Sequence, residues 1–381
     1  MDHIDFASFR RRFFREKRAQ LERLLEQPLL LYWGRWDGPN VRALTLAEGF
    51  TRPTFLLCEA GGATKAFVQI IEVDELAPLS DEMELITYGA AAELEEKLAF
   101  YLKKFDDVVV EASANFPALD RLPPHYFKFV SSIATARECD DVLVPFRALK
   151  SPLELALMKR ASDATLAVFA ELEERVRPGV AEEDVVDFVL HRAIDAGAAP
   201  AFYPIVASGR RSQYPHPQRR SRKKMERGER VVIDYGVDVW GYKADVTRTY
   251  VAGGDASADP YYDISVVLAS FLRRADLSAM TPLELGREVA RMVEEAGLSD
   301  RERHGYGHGL GVETHDPYPY VVAKAMPWLD RPFEDGMVFT FEPGFYDERG
   351  GFRVEDDYVV SGGRAVPFQE FEPPTTLPEG L

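Results

Sequence analysis

VVIDYGVDVWGYKADVTRTYVA, residues 231–252, decides the fold of the second half of the chain. Its β-branched and aromatic residues alternate on either side of Asp238-Val239-Trp240-Gly241, which reads as the turn of a β-hairpin. Asp234 and Asp245 lie equally far from the centre of that turn, so a two-residue turn predicts them opposite each other across the ladder. Cross-strand neighbours have Cβ atoms about 4.5–5.5 Å apart. The pattern returns in GMVFTFEPGFYDERGGFRVEDDYVV, residues 336–360. There the turn is Asp347-Glu348-Arg349-Gly350, and Glu342 and Glu355 are the symmetric pair, with Pro343 and Gly344 leaving room for a bulge. A helical stretch precedes each hairpin: VAEEDVVDFVLHRAIDAGA at 180–198 and TPLELGREVARMVEEAGL at 281–298, both stopping at Ala-Gly. Folding two such halves about a pseudo-twofold axis gathers four carboxylates.

Four carboxylates in one pocket repel and raise each other's pKa, so a cation must sit between them. The alternative is that each acid caps a turn or pairs with Arg248 or Arg353 at the surface. Against it, Asp234 lies inside VVIDYG and Glu342 inside VFTFEP, apolar runs in which a lone acid is costly to bury. HGYGHGLGVETHDPYP, residues 304–319, supplies an imidazole: Gly305, Gly307, Gly309 and Gly311 let backbone approach closely around His308. Four carboxylates and one imidazole suit Mn²⁺, Co²⁺ or Zn²⁺ better than Ca²⁺. Two carboxylate-bridged ions would activate a shared water, which is hydrolase chemistry. His304 stands four residues before His308, a chelating spacing only on a helix; the glycines argue against one, and His304 reads as a neighbour.

The rest of the 381 residues frames this half. Residues 6–26 predict an amphipathic helix whose arginines form a solvated outer face. LLLYWG (29–34), TFLLCEA (54–60), AFVQIIEV (66–73) and DVVVEAS (107–113) predict strands, with a helix near 91–105. This reads as an α/β domain over 1–145, followed by a second over 146–381 that opens on a capping box, Ser151 with Glu154. With 46 Lys and Arg against 63 Asp and Glu, the net charge of −17 argues against nucleic acid and anionic membranes as partners. No apolar run approaches the length of about 18 residues that a membrane helix needs, and no secretory signal is visible. Cys58 and Cys139 form no disulfide framework, which fits the reducing cytoplasm.

Taken together, VVIDYG…ADVTRTY, GHGLG, THDP, FTFEPG and FRVEDD resemble the pita-bread metallopeptidase family, in its prolidase and aminopeptidase P branch. The resemblance spans roughly 150–360. It implies a creatinase-like N-terminal α/β domain and a C-terminal pseudo-twofold pita-bread domain. Asp234, Asp245, His308, Glu342 and Glu355 match the family's metal-ligand positions. The implied cofactor is two divalent ions, Mn²⁺ first and Co²⁺ or Zn²⁺ as alternatives. Asp245 and Glu355 would bridge the ions, while Glu342 would also carry the proton from water to the leaving nitrogen. His216, in VASGRRSQYPHP, and His315, in THDP, match the family's carbonyl-polarising histidines. Arg353 matches its arginine and would orient a carboxylate, a surface salt bridge being the alternative. Asp316 departs from the glutamate more usual after His315.

The resemblance implies hydrolysis of the Xaa-Pro bond of dipeptides by a homodimer. The alternative is an aminopeptidase releasing the first residue of longer peptides; methionine aminopeptidases usually lack so large an N-terminal domain. Lys324, Arg331 and Arg353 are candidate partners for a substrate carboxylate. Tyr318, Tyr320, Trp328 and Trp36 are candidate walls for a proline ring. A rival reading comes from Arg210, Arg211, Arg219, Arg220, Arg222, Lys223, Lys224, Arg227 and Arg230, a basic run that a nucleic-acid-binding module would use. With all five ligand positions kept, a loop beside the active site is the preferred reading.

Overall fold

Phe9, Phe13, Phe14 and Leu21 form the buried stripe of the first helix, α1 (Phe6–Glu22). A computed structural model describes residues 6–34, 37–217, 220–326, 328–375 and 377. Trp36 and Arg219 therefore lie outside the described residues. The chain divides into two compact units, one ending at Arg147 and one running from Ala148 to Thr375.

In the first unit α1 is followed by β1 (Leu29–Trp33), α2 (Pro39–Thr45), β2 (Thr54–Cys58), β3 (Thr64–Gln69) and β4 (Met83–Tyr88). Then come α3 (Ala91–Leu102), β5 (Asp107–Val110), α4 (Pro124–Ser131), β6 (Thr135–Arg137) and α5 (Asp140–Ala148). The strands make a mixed sheet in the order β4-β3-β2-β1-β5-β6. Leu30, Phe55, Leu57 and Phe67 pack beneath α3 through Leu94 and Leu98. The predicted strand over 66–73 stops at Gln69, whose side chain accepts the N–H of Ile71 at 2.7 Å and starts a 3₁₀ turn. The arginines of α1 divide: Arg12 and Arg15 are exposed as expected, whereas Arg10 is buried against Glu75 and Arg18 binds Glu22, Thr64 and the carbonyl of Glu59.

The second unit repeats one design. Its first half has α6 (Pro152–Leu172), α7 (Glu182–Asp195), β7 (Ala199–Pro200) and β8 (Ile205–Ser208). The hairpin β9 (Arg230–Tyr235), β10 (Val237–Val239), β11 (Tyr242–Lys243) and β12 (Val246–Val251) completes it. Its second half has α8 (Tyr262–Arg274), α9 (Pro282–Glu295), β13 (Gly307–Gly309) and β14 (Asp316–Val321). The hairpin β15 (Val338–Phe341), β16 (Gly344–Asp347), β17 (Gly350–Arg353) and β18 (Asp356–Ser361) follows, with β19 (Arg364–Pro367) at the edge. The sheet order β8-β9-β12 is matched by β13-β15-β18. Burial along 181–200 recurs position for position along 281–300, and α7 and α9 both end on a left-handed glycine, Gly197 at φ 68° and Gly297 at φ 70°. The predicted capping box forms at α6: Glu154 accepts the N–H of Ser151 at 2.7 Å while Ser151 caps Glu154.

The two hairpins differ in how they meet expectation. In the second, Phe341 pairs with Asp356 and Gly344 with Arg353, so Glu342 and Glu355 stand opposite, with no bulge at Pro343-Gly344. In the first, the turn lies one residue further along than predicted. Trp240 and Gly241 take φ of 54° and 92°, the left-handed pair that matches strand twist, and Asp234 pairs with Thr247. Asp245 lies two residues from that partner, so the period of two returns it to the face of Asp234.

A β-bridge joins the halves: Glu355 donates its N–H to the Thr247 carbonyl at 3.0 Å. Where β9 passes into β10, a Cβ on Gly236 would lie 1.8 Å from the Ala244 carbonyl oxygen, closer than any real contact. Gly236→Ala is therefore expected to cost about 3 kcal/mol, the upper end for overpacking, because backbone must move. Urea unfolding of the two proteins at matched pH measures it.

Candidate metal centre

Each half delivers its acids from a hairpin. Asp234 is the last but one residue of β9, Asp245 precedes β12, and Glu342 and Glu355 flank the break between the two ladders of the second hairpin. His308 is the middle residue of β13, the strand beside β15, and its backbone N–H is held by Thr340 Oγ1 at 3.2 Å. A cavity of about 430 Å³ opens on all five, and on His216, His315 and Arg353. The structure thus brings together the five predicted ligand positions with His216, His315 and Arg353.

The geometry inside is one of unsatisfied acceptors. One donor atom each of Asp245, His308 and Glu355 lies within 4.8 Å of the others. The Nδ1 of His308 is 3.1 Å from the Gly309 carbonyl, so Nδ1 carries the proton and Nε2 presents a lone pair. That lone pair faces Asp245 Oδ2 at 3.7 Å and Glu342 Oε1 at 3.7 Å. Burial, then His315, depresses the His308 pKa to about 3, so protonation does not relieve the clash of acceptors. Asp234 Oδ1 is buried without a hydrogen-bond partner among the described residues. A cation is the group that satisfies all of these atoms, and the oxygen-rich set with one nitrogen fits a divalent metal.

Other residues hold the acids in place. Arg353 is buried; its Nη2 donates to Asp234 Oδ2 at 2.5 Å, its Nε to Thr247 Oγ1 at 3.1 Å and its Nη1 to the Tyr346 hydroxyl at 3.2 Å. It is not a surface salt bridge. Thr247 Oγ1 donates onward to Glu355 Oε2 at 2.6 Å. Asp357 Oδ2 accepts the N–H of Asp245 at 3.0 Å. His304 accepts from Tyr346 at 2.8 Å and lies 3.6 Å from Glu342. Sequence reasoning missed Thr247, Tyr346 and Asp357, although Thr247 and Asp357 each sit two residues beyond a predicted ligand, on the same strand face.

His216 and His315 are exposed side chains at the cavity, and the His315 and His308 rings are 4.2 Å apart. Phe202, Tyr203, Ile205 and Pro217 form the apolar wall. The walls and cations expected elsewhere do not line it: Tyr318 is buried with its hydroxyl on the Arg331 carbonyl at 2.8 Å, Arg331 stacks on Trp328, and Lys324 and Tyr320 are not among the lining residues. The basic run is largely neutralised. Arg211 pairs with Glu182, Arg220 and Arg222 with Glu183, Lys223 with Glu229, and Arg230 with Asp259 and Asp347.

Fold and donor set together define a metallopeptidase, an enzyme of the hydrolase class. Residues 156–362 match metallopeptidase family M24, and the chain belongs to that family. A protein named Xaa-Pro dipeptidase from Pyrococcus furiosus is 31% identical over 306 residues, covering 77% of this chain and 84% of its own. A probable dipeptidase PepE from Mycobacterium bovis is 30% identical over 342 residues, 84% of each chain. The crystal structure of the prolidase from Pyrococcus horikoshii OT3 shares the fold, with a TM-score of 0.78, 24% identity, and coverage of 95% of this chain and 99% of that one. No described helix is long and apolar enough to cross a membrane.

The crowded acids set a pH dependence for the metal-free protein. Burial pushes Glu342 up to about 7, and burial plus neighbouring carboxylates raise Asp245 and Glu355 well above the carboxylate range. The folded state then binds more protons than the unfolded one, so stability falls as pH rises from the ordinary carboxylate pKa through the raised value. His304, depressed to about 4, and His308 act oppositely, but mainly below their ordinary pKa of about 6.5. Between pH 6.5 and 8 the raised carboxyls outweigh what remains of the histidine contribution. Chelated protein should therefore melt at lower temperature at pH 8 than at pH 6.5, and saturating Mn²⁺ should shrink the difference, leaving the part due to Glu111, which burial raises to about 8 in the first unit; calorimetry at the two pH values checks it.

Proposed function

We propose that this chain is a metal-dependent Xaa-Pro dipeptidase whose catalytic part is the unit from Ala148 to Thr375. The observation that carries the reading is the neutral His308 Nε2 facing Asp245 and Glu342 in a cavity that also holds Asp234 and Glu355. Asp234, Asp245, His308, Glu342 and Glu355 would hold two divalent ions, Mn²⁺ being our assignment and Co²⁺ or Zn²⁺ the alternatives. When bound, such ions supply Lewis-acid charge and an activated water. The likeness to a protein named Xaa-Pro dipeptidase supports the substrate class. We also propose a homodimer in a reducing cytoplasm.

The chain's own residues divide the work. Water oxygen bonds to the scissile carbonyl carbon, and the carbon–nitrogen bond breaks. Glu342 takes a proton from the attacking water and returns it to the proline nitrogen, which has no N–H of its own. His216 and His315 donate to the carbonyl oxygen as it gains negative charge. Arg353, with Thr247, keeps Asp234 and Glu355 aimed inward. Phe202, Tyr203, Ile205 and Pro217 give apolar side chains a dry surface.

A second reading, release of the first residue from longer peptides, is favoured by one observation. Among the described residues lining the cavity, the one guanidinium is Arg353, and it is committed to Asp234, Thr247 and Tyr346. The readings part on kcat/KM for an Xaa-Pro dipeptide, its C-terminal amide and an Xaa-Pro-Xaa tripeptide. The dipeptide should be cleaved at least about ten-fold faster than the other two; equal or faster cleavage of the tripeptide moves the assignment to an aminopeptidase. His315→Ala and His216→Ala should each keep bound metal yet lose about 10²–10³-fold in kcat/KM, the worth of one oxyanion donor. Asp245→Ala should lose tight metal binding, measured by metal analysis after gel filtration.

A further inference from the structure

Asp316 follows His315 directly, and its carboxylate is enclosed. Lys150 Nζ lies 2.9 Å from Asp316 Oδ2, and both side chains are 1% exposed. Asp316 Oδ1 accepts the backbone N–H of Glu313 at 3.1 Å. Gly311 lies directly on the pair: a Cβ there would stand 2.3 Å from Asp316 Oδ2 and 2.8 Å from Lys150 Cε. The segment from Leu310 to His315 is thus wound around one buried ion pair. His308 stands two residues before it, and His315 closes it.

The lysine is itself fixed. Its backbone N–H donates to the Gly336 carbonyl at 3.0 Å, and the adjoining Leu149 bridges to Met337, just before β15. A buried ion pair contributes little stability over an apolar pair of similar size, because desolvating both charges offsets their attraction. What it adds is a defined geometry with defined partners. Here the geometry belongs to the loop that spaces two imidazoles 4.2 Å apart.

We propose that Lys150 and Asp316 are a positioning pair for the metal centre. The pair sets the loop conformation that aims His308 Nε2 at the carboxylates and holds His315 beside it. This rests on the reading of the centre as a peptidase metal site. Neither residue touches substrate; both act through the two histidines.

The test uses the full-length chain and two variants. Lys150→Met keeps the apolar stem and leaves the Asp316 carboxylate without its ammonium. Lys150→Met/Asp316→Asn removes both charges and keeps an amide oxygen for the Glu313 N–H. Three quantities are read: melting temperature, Co²⁺ affinity by titration into metal-free protein, and kcat and KM on an Xaa-Pro dipeptide. The single variant should melt lower, bind Co²⁺ about 10–100-fold more weakly and lose a similar factor in kcat, with KM within about three-fold. In the double variant the melting temperature should recover while Co²⁺ affinity and kcat stay low, since the post that fixed the loop is gone. Should the single variant not fold, the double variant carries the comparison alone. Wild-type Co²⁺ affinity and kcat in a folded single variant, or recovery of all three quantities together in the double, would overturn the proposal. If the wild-type protein binds Co²⁺ but cleaves no Xaa-Pro dipeptide, the peptidase reading fails while the affinity arm still judges the pair.

Discussion

An acceptor nitrogen held against acceptor oxygens is the constraint on which the second unit depends. Left alone, His308 Nε2 with Asp245 and Glu342 would drift apart or take up protons. The fold prevents the first by fixing three of the four acids, and the imidazole, from behind. Arg353 grips Asp234, Thr247 hands a hydroxyl to Glu355, Asp357 holds the backbone of Asp245, and Thr340 holds that of His308. Each support is a hydrogen bond to the group's far side, so the near side remains directed at the cavity. Supports of this kind keep a ligand set assembled before any ion arrives, which lowers the ordering cost of binding.

Such crowding is easier to build from two similar halves than from one. A single hairpin places two acids on one face; a second hairpin packed against it doubles the number without lengthening any strand. The seam between them includes the Thr247–Glu355 bridge with side-chain bonds on either side, from Thr249 to Arg353 and from Asp245 to Asp357, together with Arg353 on Asp234, Arg230 on Asp347 and Ser212 on Gly351. The helices remain duplicated: the burial of α7 recurs in α9 residue for residue, although few side chains are shared. What persists is the pattern of inside and outside. The loops were free to diverge, and only one half carries the histidine pair.

That division explains what could be read from the chain. The symmetric placing of the acids about two turns needed only the period of a strand, and it led to the site. The first turn was misplaced by one residue because Trp240, at φ 54°, occupies a position that a sequence reading gives to small residues. The face of Asp245 survived the error, since a shift of two along a strand preserves sidedness. Lys324, Arg331, Tyr318 and Trp328 lie in a segment with no such period, and nothing local marks which way its side chains point. The first unit was least legible: β4, α4, β6 and α5 are short, and their positions depend on contacts within the sheet rather than on pattern.

The first unit also supplies a control on the argument from buried acids. Glu111 is fully buried and burial raises it to about 8, as high a shift as an active-site carboxyl shows. Its setting differs in kind. Oε1 accepts from Asn40 Nδ2 at 3.0 Å, and Asn40 Oδ1 in turn accepts from Arg147 at 2.7 Å. A carboxyl with so high a pKa is protonated at neutral pH, and it is partnered by an amide with the Arg147 guanidinium behind it, not by other acids. Around His308 the groups that meet are several carboxyls and one neutral imidazole whose free nitrogen accepts. A perturbed pKa alone therefore does not separate a structural acid from a metal ligand. The separation comes from counting donors against acceptors at the one place where they meet.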